Sequence, residues 1–501
     1  MQSIKIEEKS GEPVINLALD TISKKKQALV FVNAKRSAEK CAEEISKKIK
    51  ETNPELTELS EKALGALSRP TKQCERLALC LKKGVAFHHA GLHSKQKEII
   101  EENFKKGKVK IICCTPTLAA GVDLPAFRSI IRDVKRYTNM GMQYIPVLEY
   151  LQMAGRAGRP SFDTHGEAIL ITGTEPEKKA VYEKFVLGEP EEIYSKLAVE
   201  PVLRTYLLSL ISTKVIQSPD EIYAFFGKTF WAHQFKDTAK LRKKIDQMLK
   251  LLEEWKFIQL LSGSYRATLL GKRVAELYID PLTANHFIHC MQRAKDTKIT
   301  PLSLLVMISN TLEMAPQLRV KTKEYDDIQE QMAKHEVYML DKEPSMFEPE
   351  YEDYINAFKT AMMFDDWINE KDEEQLLEQY DIRPGETRAK LERAEWLLYA
   401  LSEIARINQQ QFVLKDIAKL RFRLKHGAKE ELIPLLKLKN IGRVRARKLF
   451  RAGIKDLRDV KTAQLEQLSV ILGSKKIALG IKQQVGEKIE EETEGTLKKF
   501  R

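Results

Sequence analysis

Short apolar runs alternate with helical stretches through the first part of the chain. The runs at 28–32, 85–88, 109–114, 129–132 and 167–172 are rich in β-branched and aromatic residues and are bounded by polar clusters, which predicts five strands. Helices are predicted from residue 36 to about 49 and over 94–104, with Ser94 as the N-cap of the second. Strands separated by helices imply a parallel sheet covered on both faces. From about 190 to 270 the pattern changes. Helical segments, the last at 241–255, precede one short β pattern at 258–268, with Gly263 and Ser264 at its turn. That order predicts a winged helix. Residues 271–405 read as helical throughout, and the acidic, proline-containing stretch 341–353 reads as a surface loop. Beyond 406, short basic helices are separated by glycine turns. The expected division is 1–190, 191–270, 271–405 and 406–501.

Composition adds constraints. The 501 residues are 43% hydrophobic and 31% charged, ordinary for a globular protein with sizeable cores. No run approaches the roughly 20 apolar residues that cross a bilayer, and no leader pattern opens the sequence, so a cytoplasmic protein without a membrane partner is expected. A net charge of +13 favours a polyanionic partner, because bound Lys and Arg release counterions from phosphate. The cysteines form no Cys-x-x-Cys pair, so neither a disulfide framework nor a metal site is expected. His286, His289 and Cys290 lie close together on a predicted helix, but no second cluster in the sequence completes a ligand set.

The chemistry concentrates at a few motifs. In Gln152-Met-Ala-Gly-Arg-Ala-Gly-Arg159, the arginines Arg156 and Arg159 stand three apart, a spacing that lets both reach one phosphate group. Gly155 and Gly158 keep the backbone slim beside them. Thr115-Pro-Thr-Leu-Ala-Ala-Gly121-Val-Asp123-Leu-Pro125 follows the third strand, where ligands gather in parallel sheets. Thr115 offers a hydroxyl to phosphate, and Asp123 a carboxylate to a ribose hydroxyl or an arginine. Phe31-Val-Asn33-Ala-Lys-Arg36 and Phe87-His-His-Ala-Gly91-Leu92 follow two other strands. These four polar segments are expected at one edge of one sheet. Between the two strong motifs, β-capable runs flank Asn139-Met140-Gly141, a hairpin signal.

In this order the segments resemble motifs IV, IVa, V and VI of the second RecA-like lobe of superfamily 2 helicases. They are similar to the archaeal repair helicases of the Ski-like branch, whose eukaryotic relatives include the polymerase-theta helicase, and the likeness extends over nearly the whole chain. It implies an α/β RecA-like lobe, then a winged helix, an all-α ratchet domain and a helix-hairpin-helix domain. It also implies an ATP-dependent 3′–5′ DNA helicase acting on single-stranded and forked DNA in repair or restart. Arg156 and Arg159, with Gln152, would complete an ATP site with Mg²⁺, Arg159 being the better finger. Gly121 and Asp123 would also meet ATP, and Asn33, Gly91 and Thr115 would meet the DNA backbone. The hairpin would split the duplex, with Tyr137, Met140 and Tyr144 stacking on the last base pair. On the helix after Pro384-Gly385, Arg393 and Trp396 share a face, so a base would stack on Trp396 while Arg393 meets a phosphate. The family's arginine two turns earlier is replaced here by Ala389. In Leu438-Lys-Asn440-Ile-Gly442-Arg443-Val-Arg445-Ala-Arg447, a tight turn at Asn440 and Gly442 would present a helix start to phosphate, helped by Arg443, Arg445 and Arg447.

A phosphate-binding loop needs Gly-x-x-x-x-Gly-Lys-Ser/Thr, and Gly227-Lys228-Thr229 lacks its leading glycine because Ile222 stands there. The first motor lobe is therefore expected as a partner, in cis or in trans, and the chain alone is expected to be inactive as an ATPase and monomeric. An RNA helicase of the same branch and a motor-less DNA-binding subunit are the alternatives.

Overall fold

The structure is a computed structural model that describes residues 5–67, 69–119, 122–138, 141–159 and 163–486. Two compact units emerge, residues 1–193 with 373–389, and residues 194–372 with 390–501. No helix among the described residues is long and apolar enough to cross a membrane.

In the first unit, β1 (Ala28–Phe31), β2 (Val85–His88), β3 (Ile111–Cys114) and β4 (Arg128–Ile131) are followed by a hairpin of β5 (Lys135–Thr138) and β6 (Gly141–Tyr144), and then by β7 (Glu167–Leu170). The sheet order is β2-β3-β1-β4-β7, parallel throughout. The first four of these strands are buried along their length, as their continuous apolar runs require. The β5–β6 ladder is antiparallel and separate. Gly141, at φ +91°, opens β6 in a conformation that suits glycine. The cap of the helix Ser94–Lys105 lies one residue earlier than expected. His93 takes that role in a capping box with Gln96, and Ser94 becomes the first helical residue.

Residues 373–389 pack with this lobe. The helix Glu373–Tyr380 and the first turns of the helix Pro384–Ile407 belong to it. A buried ionic hub fastens them. Glu39, on the helix Lys35–Lys48, meets Arg383 Nε (3.2 Å), His89 Nε2 (3.2 Å), Gln73 Nε2 (2.8 Å) and Arg76 Nη1 (2.7 Å). Burial pushes the Glu39 carboxyl up, but bonds from His89 and Gln73 and the nearby Arg383 outweigh it and hold it at about 2. Gly385 donates its N–H to the Gly91 carbonyl (3.1 Å). A second buried cation, Arg128, bridges Asp20 (2.5 Å) and Glu167 (2.6 Å) while 1% exposed.

The second unit begins with the helices Glu200–Ser212, Pro219–Gly227, Phe230–Phe235 and Thr238–Glu254, then β8 (Ile258–Leu261) and β9 (Ser264–Ala267). The β8–β9 turn is Ser262-Gly263, both at positive φ, one residue earlier than expected. Two positive-φ residues are what a two-residue type I′ hairpin needs. The remaining described residues are largely helical. The expected loop from 341 ends where the helix Glu350–Ile368 begins. The last short helices close around their own core, with Leu435, Leu449, Leu468 and Ile481 buried.

Candidate nucleotide- and DNA-facing site

The segment after β3 lies at the carboxyl end of the sheet. Thr115 donates its backbone N–H to the His88 carbonyl (3.3 Å), and its hydroxyl pairs with that of Thr117 (2.9 Å). Asp123 is exposed. Asn33, just past β1, donates its backbone N–H to Asp133 (3.2 Å) and leaves its side chain partly exposed. Gly121 and Met140 lie outside the described residues.

Arg156 meets the segment after β3, its Nε donating to the Ala119 carbonyl (3.0 Å). Arg159 does not. Its Nη1 donates to Gln27 Oε1 (2.6 Å), on the residue before β1, and so at the amino end of the strands. Its Nε and Nη2 form a two-pronged pair with Asp163 (2.7 and 3.1 Å). Lys26 adds a third contact to Asp163 at 2.6 Å. The bond from Arg159 outweighs burial and, with Lys26, holds the Asp163 carboxyl at about 2. The expectation of both arginines at one sheet edge is thus corrected. Arg156 and Arg159 flank an isolated bridge between Ala126 and Ala157, and their side chains take different partners, Ala119 for one and Gln27 with Asp163 for the other. Gln152 is exposed on the last turn of the helix Val147–Ala154.

Gly91 is also corrected. A Cβ there would lie 2.3 Å from Arg383 Cδ, so its surface is covered by the docked segment and is closed to DNA. In the hairpin, Tyr137 is 81% exposed and pairs across the strands with Met142, 64% exposed. Sequence reasoning missed Met142, although alternation from Tyr144 points to it. Tyr144 packs edge-on against Phe185 (5.8 Å between centroids) under Lys135, and so serves the hairpin's base rather than its tip.

In the second unit, Trp396 is half-buried with its indole N–H on the Leu277 carbonyl (3.0 Å), and Arg393 donates to the Ala315 carbonyl (2.6 Å). Asn440, at φ +66°, makes the expected turn, whereas Gly442, the N-cap of the helix Arg443–Arg451, needs no glycine geometry. Arg443 lies over the Trp367 ring (4.3 Å) and donates to the Lys371 carbonyl (3.1 Å). Arg447 is neutralised by Glu370 and Glu431. Two of the three expected phosphate-binding arginines are therefore structural. Arg445, bonded to the Asn440 carbonyl (3.0 Å), has no carboxylate partner among the described residues.

A parallel lobe with these motifs, followed by a winged helix, defines a helicase-type chain. The helicase conserved C-terminal domain matches residues 12–161, a helix-turn-helix domain 166–259, and archaeal helicase domain 4 residues 302–427. Relatives named ATP-dependent DNA helicase Hel308 are 43% identical in Pyrococcus horikoshii (91% of this chain, 63% of the relative) and 42% identical in Pyrococcus abyssi (97% and 68%). A third, from Methanococcus vannielii, is 38% identical (90% and 65%). The chain belongs to the Hel308 family and spans about two thirds of the length of these relatives.

Proposed function

We propose that this chain is the strand-handling part of an ATP-dependent 3′–5′ DNA helicase that opens forked DNA in repair or restart. The β5–β6 hairpin carries the reading. It is inserted between β4 and the helix Val147–Ala154, which leads to the paired arginines, and it offers Tyr137 and Met142 to solvent. An exposed apolar cross-strand pair suits a wedge against a terminal base pair, since stacking is indifferent to sequence. The names of the relatives supply ATP and DNA as the substrates.

The chain's residues fit one side of a nucleotide site. Asp123 suits a ribose hydroxyl and Arg156 a phosphate, whereas Arg159 is held by Asp163 and Gln27. ATP, bound with Mg²⁺, would supply the free energy for strand separation. The phosphates themselves need a Gly-Lys loop from the other motor lobe. In this chain, Arg159 must exchange Asp163 for phosphate to act as a finger, and Lys26 would keep Asp163 neutralised during that exchange. Trp396, half-buried, offers a ring to a base, and the start of the helix Arg443–Arg451, with Arg445, offers N–H groups to a phosphate.

Fluorescence anisotropy of the full chain on matched forked, blunt-duplex and RNA-fork oligonucleotides tests this. DNA forks should bind tightest, with affinity falling steeply with salt. Equal affinity for blunt duplex and fork would overturn the hairpin reading, and preference for RNA would make the chain an RNA helicase part.

A further inference from the structure

We propose that His286, Cys290 and Asp341 form a binding site for one divalent transition-metal ion of the zinc type in the helical part of the second unit. His286 and Cys290 stand one turn apart on the helix Pro281–Arg293, so both side chains leave the same face. Asp341 arrives from the loop that precedes the helix Glu350–Ile368, and one donor atom from each of the three residues falls within 4.8 Å of the others.

The distances have the right size. His286 Nε2 lies 3.7 Å from Cys290 Sγ, 3.7 Å from Asp341 Oδ2 and 3.2 Å from the Met307 carbonyl oxygen. Tetrahedral zinc, with bonds of about 2.0–2.3 Å, separates its ligand atoms by about 3.3–3.6 Å. The sulfur is nearly equidistant from the two ring nitrogens (3.7 and 3.8 Å), and Nε2 is the one that also faces Asp341 and the Met307 carbonyl. The Met307 carbonyl or a water would take the fourth position.

The donor set suits zinc rather than magnesium or calcium, because thiolate and imidazole prefer softer cations. On binding, the metal replaces the thiol proton, which leaves to solvent. Thiolate and carboxylate then cancel the divalent charge, so the complex is neutral in a poorly solvated place. Cys290 is 2% exposed, whereas the His286 and Asp341 side chains keep 20% and 11% of their surfaces, which provides an entry path. Asn310 Nδ2 donates to Asp341 Oδ2 and Lys342 N–H to Oδ1, orienting the carboxylate as second-shell partners do.

The test uses the full chain, stripped by a chelator and titrated with Co²⁺ and then Zn²⁺. One equivalent of Co²⁺ should bind with the absorption of a tetrahedral, thiolate-ligated ion, and Zn²⁺ should displace it. Cys290→Ser should abolish the thiolate-to-cobalt band. His286→Gln and Asp341→Asn should weaken binding by more than the roughly 10–100-fold that losing a second-shell partner costs. Circular dichroism identifies any variant that fails to fold, and His286→Gln, at a partly exposed position, then decides. No saturable binding, or a band that persists in the folded variants, overturns the site.

Discussion

Replacing Glu39 by Gln isolates the hub that fastens residues 373–389 to the lobe. The carboxyl sits at about 2 against an ordinary 4.5. A difference of about 2.5 pH units corresponds to about 3 kcal/mol, near the lower end of the roughly 3–5 kcal/mol seen when one partner of a buried ion pair is removed. Because the folded-state value is depressed, this stability is present in full above about pH 4.5 and is lost as pH falls toward 2. Glu39→Gln should therefore cost about 3 kcal/mol at pH 7, and the gap should narrow below pH 4. Hydrogen exchange by mass spectrometry, read on peptides covering 35–48 and 373–389, reports the effect locally, and denaturant unfolding reports its size. A gap below about 1 kcal/mol at pH 7, or one that is the same at pH 3.5 and pH 7, refutes the reasoning.

Arg128→Met should destabilise the first unit by about 3–5 kcal/mol, since Asp20 and Glu167 lose their shared cation, and urea unfolding measures it. Gly385→Ala should cost about 1–3 kcal/mol and speed hydrogen exchange over 373–389, because the new Cβ would stand 2.3 Å from the Leu92 carbonyl oxygen. Tyr137→Ala should leave the melting temperature nearly unchanged while lowering the preference for forks over duplex by roughly fivefold or more, the effect of losing one stacking contact of about 1–3 kcal/mol; anisotropy titrations read it.

The sheet was legible because its central strands are apolar on both faces, and a run such as Leu29-Val30-Phe31 has few other places to go. The hairpins were legible from their turn residues, to within one position at Ser262-Gly263. The site was legible as motifs and only partly as geometry. Arg156 and Arg159 share a spacing, yet both lie past the helix end at Ala154 and flank the bridge at Ala157, so their side chains part. What pins them, Ala119 and the trio Gln27, Lys26 and Asp163, has no local signature. Arg443 and Arg447 read as phosphate ligands because their partners, Trp367 and Glu370, lie far back in the sequence. The same holds for Glu39 with Arg383, and for Asp341 beside His286 and Cys290. Long-range pairing is set by packing, which leaves no periodicity to read.

The most direct measurement is DNA-stimulated ATP hydrolysis by the full-length protein carrying Arg159→Ala. A residue acting as a finger across the lobe interface should lower turnover by about 10³-fold or more while fork binding stays intact. Turnover within a few-fold of the unaltered protein would mean that Arg159 only braces Asp163 and Gln27, and the proposed division of the nucleotide site between two lobes would fail.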